Sequence, residues 1–192
     1  MRQGDDLYFA PGIKFSEVQL DDPRFVDQLH ARLDGLYLAP VRNCLEHKQW
    51  FAAGLLLIAL IDFMSGMHRS SQELRGRRVR ADFETYTQEK LSSSGLSDHA
   101  HRFYTDFRDG LTHQGMIKNA GEFSDNWPQT ARVECGRLCI NPMYLLREVE
   151  AALAKELKEL RGSPTKRIKA ANRLAELFAV ELGIVAAAQG MG

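Results

Sequence analysis

The sequence has no excess of charge of either sign, few cysteines and no long hydrophobic run, and each lack closes off a class of protein. Lys plus Arg and Asp plus Glu number 25 each in 192 residues. No whole-molecule field therefore draws the chain to a polyanion, and any nucleic-acid binding must come from a local patch. There are three cysteines, Cys44, Cys135 and Cys139. An odd count cannot close a disulfide framework, and the lone pair Cys135 and Cys139 is too little for a structural zinc site. All three read as reduced packing residues of a cytoplasmic protein. The stretch Met1 to Leu7 is polar and acidic, unlike a signal peptide. The most apolar run, Trp50 to Ile61, spans twelve residues before Asp62. A membrane span needs roughly 20, so this run reads as a buried core helix, and no membrane association is expected. No metal or other cofactor is expected either.

What is present is ordinary globular composition, 44% hydrophobic and 26% charged, enough to bury a core without staples. Residues 1–20 look extended. Leu7 to Ala10 precedes the turn signal Pro11-Gly12, and Ile13 to Leu20 roughly alternates, as in a hairpin or docked arm. Asp22-Pro23 reads as a helix start, running to about Asp34 and stopping near Gly35. Pro40 marks the next start, with helix to Phe63 or Met64, a break near Lys48, and Gly66 as a stop. Residues 67–77 read as a polar linker, Arg78 to Leu91 as a helix, and Ser97 as the cap of a helix ending at Gln114 before Gly115. Residues 116–141 lose helical period, and Ala131 to Ile140 reads as a strand or hairpin arm. Asn141-Pro142 and Ser163-Pro164 open helices of about 142–161 and 164–187. The expected fold class is all-α: a helical bundle of five to seven helices with a small extended or β appendage, residues 1–20 as the arm and 21–192 as one domain.

Chemistry concentrates in the 97–114 helix. Ala100, Phe103, Tyr104, Phe107 and Leu111 fall at helical spacing as a core-facing stripe. Arg102, Asp106, Asp109 and His113 form a polar column on another face, with Arg108 and Thr112 beside it. Asp109 is one turn before His113, so its carboxylate can fix the imidazole tautomer. An Arg, Asp and His grouped this way suit a phosphodiester. Arginine matches phosphate oxygens bidentately and stabilises charge growing on phosphorus. Histidine exchanges protons with the 2′-hydroxyl or the leaving 5′-oxygen. One chain supplies a single histidine in this column, whereas acid and base each need a group; a two-fold dimer would supply both. On spacing alone, a partner contact or a solvated face explains the same residues. Gly110, costly inside a helix by about 1 kcal/mol, implies close approach of another backbone, as at a helix crossing.

The segment Arg108-Asp109-Gly110-Leu111-Thr112-His113 resembles the signature of the HEPN family: arginine, a polar residue, three residues, then histidine, late in a long helix. The apolar helix ending Ile61-Asp62-Phe63 resembles that family too. The likeness covers roughly residues 25–160, and its specific part is six residues. It implies an α-helical bundle that dimerises through the 97–114 helix. It also implies a metal-independent endoribonuclease of toxin, defence or RNA-processing type, or else a non-catalytic dimerisation or partner-binding module. An antitoxin or nucleotidyltransferase is an implied partner. Carried over, Arg108 steadies the scissile phosphate, His113 is acid or base, and Asp109 orients it.

Outside this helix, Arg69, Arg75, Arg77, Arg78 and Arg80 form the densest basic cluster. It reads either as an RNA contact or as a solvated loop paired to Glu73 and Asp82. Arg102, Thr112, Arg75, Arg77 and Arg78 are the candidate substrate-binding residues. Lys166, Arg167, Lys169 and Arg173 read as a solvated face. His99 and His101 point apart on a helix, which argues against a metal site. Asp62, inside an apolar helix, needs a partner: a cap or surface pair first, with Arg108 as the other candidate. Trp50 and Phe51 read as core or interface, and Ile184 to Ala188 as an apolar end that packs on the bundle or another subunit.

Overall fold

The computed structural model describes residues 2–3, 6–67, 78–92 and 95–183. Arg69, Arg75, Arg77 and the 184–188 end lie outside them, and of Arg78 only the backbone is described. The chain is a mostly helical bundle with a small β part, six helices among the described residues. A three-stranded antiparallel arm comes first: β1 (Arg2–Gln3), β2 (Asp6–Ala10) and β3 (Ile13–Lys14). Its turn is Pro11-Gly12, with Gly12 at φ +76°, a conformation only glycine adopts cheaply.

Next come α1 (Phe25–Leu33) and α2 (Ala39–Glu46), joined without interruption by a wide π turn over Asp34–Leu38. The expected stop at Gly35 is therefore not there. Gly35 serves close approach instead: a Cβ on it would sit 2.6 Å from the Pro11 ring, so the residue is small because the arm lies against the helix. Pro40 is tolerated because it falls in the first turn of α2 directly after the π turn. The start moves too. Asp22 turns its carboxylate onto the backbone and guanidinium of Arg24 at 2.7 and 3.0 Å, and regular helix begins at Phe25.

The break near Lys48 is present, with Lys48 at φ +56°. It opens α3 (Trp50–Met67). This helix runs through Gly66, whose carbonyl is bonded by Arg173 Nε at 3.0 Å. Its 18 residues have a mean hydropathy of 1.8, enough by length and composition to cross a membrane, and 56% of it is buried inside the protein. Asp62 is the sole charge within it. α2, α4 (Arg78–Lys90) and the later helix α7 (Pro142–Gly162) pack around α3.

The 97–114 helix follows, then β4 (Glu122–Phe123), β5 (Ala131–Glu134) and β6 (Arg137–Ile140). The hairpin β5–β6 is antiparallel around Cys135-Gly136, at φ +48° and +78°, a mirror-image two-residue turn that matches strand twist. Cys135 is thus exposed at a turn rather than packed, whereas Cys139 is buried. β4 pairs parallel to β6, which the sequence did not foreshadow.

Asn141 caps α7 (Pro142–Gly162), its Oδ1 accepting from the Met143 amide at 3.0 Å. Ser163 caps α8 (Pro164–Leu177), which is ten residues shorter than expected. Phe178 leaves the helix with φ −121° and packs against Phe15 and Phe9, ring centroids 5.4 and 6.2 Å away. Burying an aromatic ring outweighs one more helical turn. The Arg32 guanidinium lies among Phe178, Phe9 and Phe63 at 4.7, 5.0 and 5.9 Å and donates to the Phe9 carbonyl. Burial depresses its pKa. This one side chain ties the arm, α3 and the turn after α8 to α1.

Candidate functional site

The 97–114 helix is not uniform. It enters as a tight turn, Ser97–His99, becomes α-helix at Ala100–Arg102 (α5), widens to a π turn over Phe103–Arg108, and returns to α-helix at Asp109–Gln114 (α6). Gly115, at φ +66°, ends it. Ala100, Phe103, Phe107 and Leu111 are buried as expected, and Tyr104 partly so. Phe103 packs on Phe83 and Phe107 on Phe123, with centroids 5.4 and 5.1 Å apart. The Phe123 ring fills the space over Gly54 of α3, where a Cβ would stand 2.3 Å from it. The site's depth is thereby set by the core.

The π turn ends on Arg108, the first residue of the motif, and wide turns often mark function. The polar column divides there. Asp106 is 2% exposed. It accepts from Asn119 Nδ2 at 2.7 Å, Thr105 Oγ1 at 3.1 Å and Arg102 Nε at 3.4 Å. Arg102 also donates to the Gly136 carbonyl at 2.9 Å. This half is a structural hub that holds the 115–121 loop and the β hairpin.

Asp109 begins the other half. Its Oδ2 accepts from Lys118 Nζ at 3.1 Å, and its Oδ1 is 3.4 Å from His113 Nε2. The His113 side chain is 62% exposed. Lys118 and Asn119 were not among the expected residues. Their signal was Gly110: a Cβ there would meet the Met116 carbonyl at 2.5 Å and Lys118 at 3.2 Å. The close approach is real, but it is made by the returning loop rather than by a crossing helix.

Arg108 lines a cleft between α3 and α8. Its Nη2 donates to Asp62 Oδ2 at 3.0 Å, and its guanidinium lies 5.4 Å from the Tyr104 ring. Asp62 is thus satisfied by Arg108, the less favoured of the two sequence expectations. Burial, the largest single influence, would lower the Arg108 pKa, but Asp62 together with Tyr104 and Asp109 holds the group above its ordinary value. The buried Arg108 Nε and Asp62 Oδ1 have no hydrogen-bond partner among the described residues. The cleft beside them, about 360 Å³, is lined by Asp62, Phe63, Val79, Arg108, Arg173 and Leu177. Arg173 is buried and bonded to Gly66 and Glu176, which corrects its reading as part of a solvated face. Thr112 Oγ1 donates to the Arg108 carbonyl at 2.5 Å. His101 pairs with Glu84 at 2.9 Å, and Arg80 with the same carboxylate at 3.5 Å.

Comparison of the chain with family models, with curated proteins and with solved structures finds no match.

Proposed function

We propose that the chain is a HEPN-like protein that acts as a cytoplasmic homodimer and cleaves RNA without a metal, in a toxin, defence or RNA-processing role. The observation that carries this reading is the outer end of the 97–114 helix. There an exposed imidazole is held by a carboxylate that a lysine also anchors. Five residues earlier on the same helix, the Arg108 guanidinium, whose buried Nε has no partner among the described residues, lines an open cleft. With Nε2 toward Asp109, Nδ1 of His113 is the nitrogen left to work. It takes the proton of a ribose 2′-hydroxyl; the 2′-oxygen attacks phosphorus, giving a 2′,3′-cyclic phosphate; and the departing 5′-oxygen takes a proton from the same imidazole of a second copy. Arg108 stabilises the phosphoryl charge. Arg102 and Thr112, with Arg75, Arg77 and Arg78, are the residues proposed to meet the RNA. An antitoxin or nucleotidyltransferase is the proposed partner.

A second copy is also favoured by apolar surface next to the motif. Phe51 and Leu55, one turn apart on α3, are 48% and 40% exposed, and Met116, just past the motif helix, is 56% exposed.

One observation favours a second reading. Arg108 is already engaged by Asp62, as suits a dimerisation or partner-binding module in which the pair is structural. Incubation with mixed RNAs in EDTA separates the two. On the first reading wild-type protein cleaves, and His113→Ala and Arg108→Ala each lose about 100-fold or more. Cleavage undiminished in His113→Ala removes the mechanism. A wild-type dimer that binds but never cleaves leaves the module.

A further inference from the structure

A second cavity lies at the opposite side of α3, where its last turns meet α1, α7 and the first turn of α8. It encloses about 230 Å³, less than the roughly 300–1,000 Å³ of pockets for drug-sized molecules. Its buried walls are apolar: Leu29, Met64, Met67 and Ala170. Its polar groups are of one kind at the mouth and another inside. Lys90, Lys166 and Lys169 stand at the mouth; Lys166 and Lys169 are exposed and Lys90 half-buried. Lys166 is neutralised by Glu159 at 2.7 Å. Lys90 and Lys169 have no carboxylate within bonding distance among the described residues. Inside, Glu156 is 7% exposed and is hydrogen-bonded with the Tyr86 hydroxyl.

Charge and shape together select the occupant. An apolar wall rewards a hydrocarbon body. Two ammonium groups with no bonded carboxylate stand at the mouth, although Lys90 also acts through space on Glu159; they reward an anion and reject a cationic amphiphile by like-charge repulsion. Glu156 does not reverse this, because it is buried and already bonded with Tyr86. Methionines suit such walls, since their unbranched, polarisable chains adjust to bodies of differing shape.

We propose that this cavity binds a small amphipathic anion, its hydrocarbon body against Met64 and Met67 and its acidic head between Lys90 and Lys169. The site uses none of the motif-helix residues, so it stands or falls apart from RNA cleavage. The acidic head is a carboxylate or a phosphate, and the probes separate these sources.

The test is calorimetric titration of the full chain with octanoate, octyl phosphate and octylammonium. Either octanoate or octyl phosphate binds, and the tighter one identifies the head group. Octylammonium binds at least tenfold more weakly. The exposed-charge variant Lys90→Glu/Lys169→Glu keeps the wild-type circular dichroism spectrum and loses at least tenfold in affinity for the anion. In protein labelled with 13C at the methionine methyls, the anion moves the Met64 and Met67 signals and leaves Met116 and Met143 in place. Equal binding of octylammonium, unchanged affinity in the double variant, or no binding of either anion overturns the proposal.

Discussion

Asp106 and Asp109 lie less than a turn apart on one helix, and their surroundings are opposite. Asp106 is buried and accepts from three side chains on two elements. Asp109 is 35% exposed and shared between Lys118 and His113. The same functional group is a rivet in one place and a handle in the other. Burial with full hydrogen bonding makes a carboxylate indispensable to the fold, whereas half-exposure beside an exposed imidazole makes it available to a ligand. Replacing each should separate stability from function.

The largest expected effect on stability is at Asp106. Asp106→Ala strands Arg102 and Asn119 and releases the 115–121 loop, at about 3 kcal/mol, read as a lower midpoint in urea unfolding. Gly110→Ala comes next. Helix propensity gains about 1 kcal/mol, but the new methyl meets a backbone carbonyl at 2.5 Å that only a loop shift can relieve. Overpacking of that kind costs about 1–3 kcal/mol, so the net change is a loss of up to about 2 kcal/mol, comparable with the next variant, and Lys118 is displaced from Asp109. Arg108→Ala follows at about 1–2 kcal/mol, because Asp62 loses its partner inside α3. Smallest is His113→Ala, within about 0.5 kcal/mol of wild type by thermal or urea unfolding, since its pair with Asp109 is exposed. On the proposed function the order for RNA cleavage is different, with His113 and Arg108 dominant. If Asp106→Ala folds normally while His113→Ala melts early, the division between rivet and handle is wrong.

Much of this was legible in the sequence because capping and turn chemistry are local. Asn141-Pro142, Ser163-Pro164, Gly115 and Pro11-Gly12 each mark a boundary that the chain obeys. The misses share a cause. Gly35 and Gly66 were read as helix stops, whereas Gly35 leaves room for the arm and Gly66 lies inside α3; the close backbone approach expected at Gly110 is there, made by the 115–121 loop instead of a crossing helix. A partner distant in sequence carries no local signature. The π turns at Asp34–Leu38 and Phe103–Arg108 add a residue to a helical turn without changing its composition, so residue spacing cannot reveal them. The 103–108 turn is why the single polar column became two clusters. At the site, the Asp109–His113 pair followed from spacing. The engagement of Arg108 by Asp62 needed the packing of α3, and Lys118 needed the loop's return path.

The central claim is that the exposed end of this helix works in pairs. The direct measurement is the rate of RNA cleavage in EDTA as wild-type chain is co-refolded with increasing His113→Ala chain at constant total protein. A composite site needs an imidazole from each copy, so the rate should fall as the square of the wild-type fraction. A rate that falls only in proportion to that fraction, or wild-type protein with no rate at all, contradicts it.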